Sequence, residues 1–138
     1  MPTSFTVLNI RADGYERTAH IISDSAKEFF VSFIAHEEYS ETGRSTKIKI
    51  GDQIKGTLKI EFVMDFRVSN ENLSYRQNIP NSPHTEAVVD VINVIDNFRI
   101  SAYLRDYDIP VIIEFDRQIP EQLHGRIALC GELRIDIV

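Results

Sequence analysis

Two stretches of this chain alternate apolar and polar residues with a period of two, the spacing of a β-strand with one buried face. In residues 57–68 the apolar face carries Leu58, Ile60, Phe62, Met64, Phe66 and Val68. In residues 126–137 it carries Ile127, Leu129, Leu133, Ile135 and Ile137. Because antiparallel sheets commonly keep one face in water, the pattern predicts two long antiparallel strands. It also predicts that Phe62 is buried.

Shorter apolar runs beside turn residues predict five more strands, at residues 4–11, 17–23, 47–50, 98–104 and 111–116. Asp13-Gly14 separates the first two, and this dipeptide favours a tight hairpin turn. Gly51-Asp52 follows the third and predicts a second hairpin, in which residues 47–50 pair with the strand that follows. Phe98 begins the fourth and is expected to point inward.

Two segments, residues 25–37 and 83–96, fit either a helix or a strand. Ser25 and Glu28 resemble a capping box, and Ser82-Pro83 suits a helix start. Apolar residues follow at helical spacing in both segments. The second segment is rich in β-branched residues, which favours a strand. If both segments are strands, Asp96-Asn97 forms a hairpin turn.

We predict one all-β domain over residues 1–138, an antiparallel barrel or sandwich that has room for one short helix. The length of 138 residues is enough for one buried core. An α+β fold is the alternative, if the ambiguous segments are helices. Residues 69–85 are the one long irregular stretch, and we expect a binding loop there.

The N-terminal residues, the lack of a long apolar run and the single cysteine together predict a cytoplasmic protein. The N-terminal residues lack the features of a signal peptide, and the single cysteine, Cys130, cannot form an intramolecular disulfide. No apolar run is long enough to span a bilayer, so we expect no membrane association. The formal net charge of −6 disfavours nucleic acid as a partner, because phosphate backbones repel an acidic surface.

No catalytic or metal-binding motif is recognisable. Gly51 and Gly56 have the spacing of a phosphate loop, but Thr57 stands where that motif requires lysine. His84-Thr85-Glu86 lacks the pair of cysteines that a zinc deaminase would add. A catalytic Cys130 would need a base close in space to activate its thiol, and the sequence does not identify one. We therefore expect no catalytic residue, no metal and no cofactor, and we favour a protein that is not an enzyme.

Positive charge is concentrated in five residues, Arg44, Lys47, Lys49, Lys55 and Lys59, which are our candidate binding residues. In the predicted hairpin Lys49 lies opposite Lys55, and like charges in that position are mildly destabilising. One explanation is an anionic partner. The other, which we favour, is that the lysines protect an exposed strand edge from aggregation.

These observations favour a non-catalytic binding module for a protein partner, acting as an adaptor, regulator or inhibitor. One alternative is an oligonucleotide-binding barrel that uses the lysine hairpin. That hairpin lacks the exposed aromatic residues on which bases stack. The other alternative is a small ligand carrier or enzyme with an interior pocket, since pocket positions look like core in a sequence. The oligomeric state is left open.

Overall fold

The computed structural model describes residues 2–104 and 109–138, and it folds them into eleven β-strands without a helix. The strands are β1 (Thr3–Asp13), β2 (Glu16–Ser23), β3 (Glu28–Ile34), β4 (Gln53–Val63), β5 (Phe66–Val68), β6 (Ser74–Arg76), β7 (His84–Val91), β8 (Asn93–Val94), β9 (Arg99–Leu104), β10 (Ile109–Phe115) and β11 (Gly125–Ile137). The all-β prediction is confirmed. In the described ranges no helix could cross a membrane.

The strands form one mixed sheet in the order β6-β7-β11-β3-β2-β1-β4-β10-β9-β8, with β5 added to β11. A further pairing between β4 and β11 closes a five-stranded ring through β1, β2 and β3. Most neighbours are antiparallel, whereas β4 with β10 and β3 with β11 are parallel. The ring agrees with the predicted barrel-like architecture.

Two long strands, β4 and β11, pair with each other and form a central ribbon. One half of the ribbon pairs with β1 and lies beside β3, and the other half pairs with β10 and β7. On the second side, β8 pairs with β9 and is joined by a single residue to β7, which itself pairs with β11. The chain of neighbouring strands on this side therefore also ends at β11. Both sides contribute to one continuous apolar core.

Both ambiguous segments are strands. In β3, Phe29, Val31, Ser32 and Phe33 are all buried, and in β7 a run of consecutive residues is buried as well. A strand buried on both faces has a continuous apolar run, which cannot be told from a buried helix by spacing alone. The turn at Asp96-Asn97 also forms, closed by the Ile95 N–H donating to the Arg99 carbonyl (2.8 Å).

The predicted burial of Phe62 is wrong, because β4 bulges there. Phe62 has φ = 59°, its side chain is 55% exposed, and Val63 takes the core position with 0% exposed. Ile113 and Phe115 of β10 pair with Ile60 and Val63, so three steps on β4 match two on β10. This extra residue reverses the faces and brings Met64 to the surface. Val68, beyond the bulge, is also exposed, which the alternation did not predict.

The hairpin predicted for residues 47–59 does not form. Residues 44–52 are irregular and run beside β1, where the Gly51 N–H donates to the Val7 carbonyl (2.8 Å). Lys55 pairs with Ser4 across the ladder, so Lys49 and Lys55 are not opposite each other. The competing pairing partner is β1, which the local sequence could not reveal. Phe98, also expected to point inward, lies outside β9 and is exposed.

A buried arginine holds the segment before β4 against the end of the ring. Arg17 is fully buried, and its Nη2 lies 3.1 Å from Oε1 of Glu38. Its Nη1 donates to the carbonyl oxygens of Gly14 (2.9 Å) and Glu16 (3.1 Å). The pKa of Glu38 is lowered to about 2, chiefly by hydrogen bonds from the Thr46 hydroxyl and backbone N–H, with a smaller contribution from Arg17.

Candidate functional site

A groove lies on the outer face of the sheet formed by β5, β11, β7 and β6. Cross-strand pairs set its floor in rows, one of which joins Arg67, Ala128, Val88 and Ser74. The next row joins Cys130, Glu86 and Arg76. Ala128 and Val88 are buried, so the floor is apolar between polar walls. The groove has a volume of about 390 Å³, within the usual range for ligand and peptide sites.

The charges around the groove are paired. Arg67 Nη2 lies 2.8 Å from Glu71 Oε1, and Arg76 Nη2 lies 3.7 Å from Glu86 Oε2. Asp65 lies 2.6 Å from Arg117 Nη2. A hydrogen bond from the Phe66 N–H and the contact with Arg117 lower the pKa of Asp65. The groove therefore presents near-neutral polar walls rather than a field of one sign.

Arg126 and Asp90 form the next cross-strand row on this face of the sheet, beyond Ala128 and Val88 of the groove floor. The Arg126 guanidinium contacts Asp90 (Nε to Oδ1, 2.8 Å) and donates through Nη1 to the Glu71 carbonyl (3.0 Å). The Ser69 N–H in turn donates to the Arg126 carbonyl (3.1 Å). These bonds fix the chain as it passes from β5 to β6. Residues of the predicted 69–85 loop thus contribute a wall of the groove.

Beside the groove lies a small apolar surface made of Phe62 and Met64, which we call the bulge surface. Their side chains are 55% and 71% exposed. They lie within three residues of Asp65, which lines the groove. A bulky residue in the left-handed region is an outlier that costs roughly 1–2 kcal/mol. Phe62 therefore combines two unfavourable features in the isolated protein, a strained backbone and an aromatic ring exposed to water.

The five predicted binding residues are not brought together as a hairpin. Lys47 and Lys55 line one open cavity of about 460 Å³, and Lys49 lies in the turn next to it. Arg44 lies at the other end of the segment, next to Gly43, whose carbonyl accepts from Ala12. Lys59 is half-buried and pairs with Asp136 (2.7 Å), which raises the lysine pKa.

Sequence reasoning expected a binding loop at residues 69–85, part of which lines the groove, but it missed the bulge surface, which depends on the bulge in β4. One signal could have revealed it. Gly131 interrupts the alternation of residues 126–137, and a glycine inside a strand often marks a bulge or a close backbone approach. In the structure Gly131 lies against β4 at the bulge.

The described residues contain no group of three or more His, Cys, Asp or Glu side chains placed to hold a metal ion. Cys130 carries an exposed free thiol on the groove floor, next to Glu86. No protein-family model, no curated protein and no solved structure matches this chain.

Proposed function

We propose that this protein is a non-catalytic binding module that docks a protein partner on the bulge surface and the adjoining groove. The observation that supports the proposal is the conformation of Phe62, whose φ of 59° turns an aromatic side chain outward. Strained backbone positions concentrate at functional sites, and bulges commonly redirect a side chain there. A partner that covers Phe62 would compensate for both the strain and the exposed ring.

A protein fits this surface better than a small molecule does. A ligand confined to the groove would leave Phe62 and Met64 in water, because neither residue lines the groove. A protein surface can cover both areas at once. Aromatic and methionine side chains are enriched in the centres of protein interfaces, with polar residues around them.

The charged pairs supply such a polar rim. Arg67 with Glu71 and Asp65 with Arg117 are well exposed. Exposed pairs add little stability to the isolated protein, and they can exchange partners when a second surface approaches. We therefore expect Phe62 and Met64 to provide most of the binding energy, and the polar rim to fix the orientation of the partner on the surface.

The cytoplasmic location belongs to the same proposal. The exposed thiol of Cys130 suits a reducing compartment, where free cysteines persist. Partners would then be cytoplasmic proteins.

The test is retention of partners from an extract of the native host on immobilised wild-type protein and on Phe62→Ser/Met64→Ser. The matched control is Ile95→Ser/Phe98→Ser, which removes two exposed apolar side chains at the β8–β9 turn. We expect wild type and control to retain the same proteins, free wild type to displace them, and the Phe62/Met64 variant to lose them. Equal retention by all three forms, with each form folded, would refute docking at the bulge surface.

A further inference from the structure

Most cations in the described ranges have a carboxylate partner, and those of residues 44–55 do not. Among the described residues, carboxylates lie within 4.0 Å of the cationic groups of Arg17, Lys59, Arg67, Arg76, Arg99, Arg117, Arg126 and Arg134. Arg44, Lys47, Lys49 and Lys55 are exposed, and none forms an ion pair with another described residue. In a chain of net charge −6, acidic partners are in excess, so this grouping calls for an explanation.

Protection of a strand edge does not explain these lysines. Lys47 and Lys49 lie outside the strands. Lys55 lies in β4, where it pairs with Ser4 on one side, and its carbonyl accepts from the Val138 N–H (2.9 Å) on the other. No strand edge at these positions is left for a lysine to guard. The explanation favoured from the sequence therefore loses its structural basis.

The surroundings of the lysines combine positive charge with apolar surface. The cavity lined by Lys47 and Lys55 also contains Ile48, Ile54 and Ile137. Asp52 is the one acidic side chain of its lining, and its Oδ2 accepts from the Lys49 N–H (3.0 Å). Next to the cavity, Ile50 is 66% exposed. The cations therefore lie around an apolar centre.

We infer that this lysine surface, made of Lys47, Lys49, Lys55 and Ile50, binds a short carboxylate-rich segment of a protein with an apolar residue at its centre. Carboxylates would contact the three ammonium groups, and the apolar side chain would pack on the isoleucines. Lys55 and Phe62 are seven positions apart on β4, about 23 Å at the usual rise of a strand. The inference is thus independent of docking at the bulge surface.

Other anions fit the lysine surface less well. Single-stranded nucleic acid is bound through stacking on aromatic side chains, and residues 44–55 contain none. A long polyanion or an anionic bilayer would extend beyond three lysines and meet the remainder of a protein with net charge −6. A short acidic peptide reaches only the cations.

The experiment measures fluorescence anisotropy of labelled peptides with the full-length protein. The acidic probe has a central leucine flanked by glutamates, and the comparison probes replace either the glutamates by glutamine or the leucine by serine. The variant Lys47→Gln/Lys49→Gln/Lys55→Gln is compared with Arg11→Gln/Lys27→Gln/Arg99→Gln. Both variants lose three cations, so they have the same net charge. The control also removes the Arg99–Asp96 ion pair and the hydrogen bond from Arg11 to the Asn81 carbonyl, so the fold of each variant is checked first.

We expect the lysine variant to weaken binding of the acidic leucine peptide at least about tenfold, and the control variant to bind like wild type. Ile50→Ser should weaken binding of the leucine peptide and leave binding of the serine peptide unchanged. Binding should fall as ionic strength rises from about 0.05 to 0.5 M, where surface charges are screened. Phe62→Ser/Met64→Ser should bind the peptide like wild type, which separates this test from that of the proposed function.

Three results would overturn the inference. The first is equal binding by the lysine variant and wild type. The second is equal affinity for the glutamine-substituted peptide, which would show that charge is not recognised. The third is tighter, lysine-dependent binding to single-stranded DNA or to phosphatidylserine vesicles, which would assign the surface to nucleic acid or membrane.

Discussion

Gly131 of β11 lies directly against the backbone of Glu61, at the position where β4 bulges. A Cβ atom at Gly131 would overlap the Glu61 carbonyl oxygen and would lie 2.8 Å from Cγ2 of Ile60. Only glycine permits this approach. The absence of a side chain in one strand thus accommodates the bulge in its neighbour, and the bulge turns Phe62 to the surface.

Gly131→Ala is expected to destabilise the protein by about 3 kcal/mol, the upper range for overpacking a tight site. Gly125→Ala is the control. Gly125 has φ = 85° and open space around it, so alanine there adds only backbone strain of about 1 kcal/mol. Chemical denaturation measures both. An equal or smaller loss at position 131 would contradict the close approach to β4.

Phe62→Gly is expected to leave the free energy of unfolding within about 0.5 kcal/mol of wild type, or to raise it. Glycine relieves the left-handed backbone strain at this position. Because the Phe62 ring is largely exposed, its removal costs little core packing. Val63→Ala should cost roughly 2–3 kcal/mol, because Val63 is fully buried. Comparing the free energies of unfolding of the two variants checks which of these neighbours belongs to the core. A larger loss for Phe62→Gly than for Val63→Ala would mean that Phe62 is the buried residue, as simple alternation predicts.

Glu38→Gln is expected to change how stability depends on pH. The pKa of Glu38 falls from an ordinary 4.5 to about 2 in the folded protein, so its carboxylate stabilises the fold above pH 4.5. That contribution is lost as pH falls towards 2. The stability difference between wild type and Glu38→Gln should therefore shrink over this window. Glu37→Gln is the control for loss of a neighbouring exposed carboxylate, and a constant difference for Glu38→Gln would contradict the assignment.

Gln77→Ala is expected to cost about 1–2 kcal/mol, although the residue lies outside every strand. Its amide pairs with Phe30 of β3 as a backbone would, accepting from the N–H (2.8 Å) and donating to the carbonyl (2.7 Å). This contact ties the chain after β6 to the ring. Gln118→Ala removes an exposed glutamine and should stay within about 0.5 kcal/mol. Equal stability of the two variants in thermal denaturation would show that the amide pairing is unimportant.

Local patterns predicted the strands that have one wet face and missed features that depend on distant partners. The β1–β2 hairpin and β11 follow from turn residues and alternation, and both are confirmed. Residues 25–37 and 83–96 were ambiguous because the strands within them, β3 and β7, are buried on both faces.

The candidate sites show the same limit. Whether Lys49 lies opposite Lys55 depends on the pairing of β4 with β1, which is not encoded near either lysine. The face of Phe62 depends on one extra residue in β4, and the only trace of it in the sequence is Gly131, far along the chain. The bulge exchanges the positions of Phe62 and Val63 relative to the core, so alternation alone could not locate the bulge surface.

The most direct test of partner docking places a photo-crosslinking phenylalanine analogue at position 62 and, separately, at position 39. Tyr39 is an equally exposed aromatic residue, 59% against 55%, and packs against Tyr15 at the opposite β1–β2 turn. After irradiation in native-host extract, we expect a discrete adduct from position 62 alone, which disappears when excess wild type is added and persists when excess Phe62→Ser/Met64→Ser is added. Adducts of the same mass and yield from both positions, or none from position 62, would contradict partner docking.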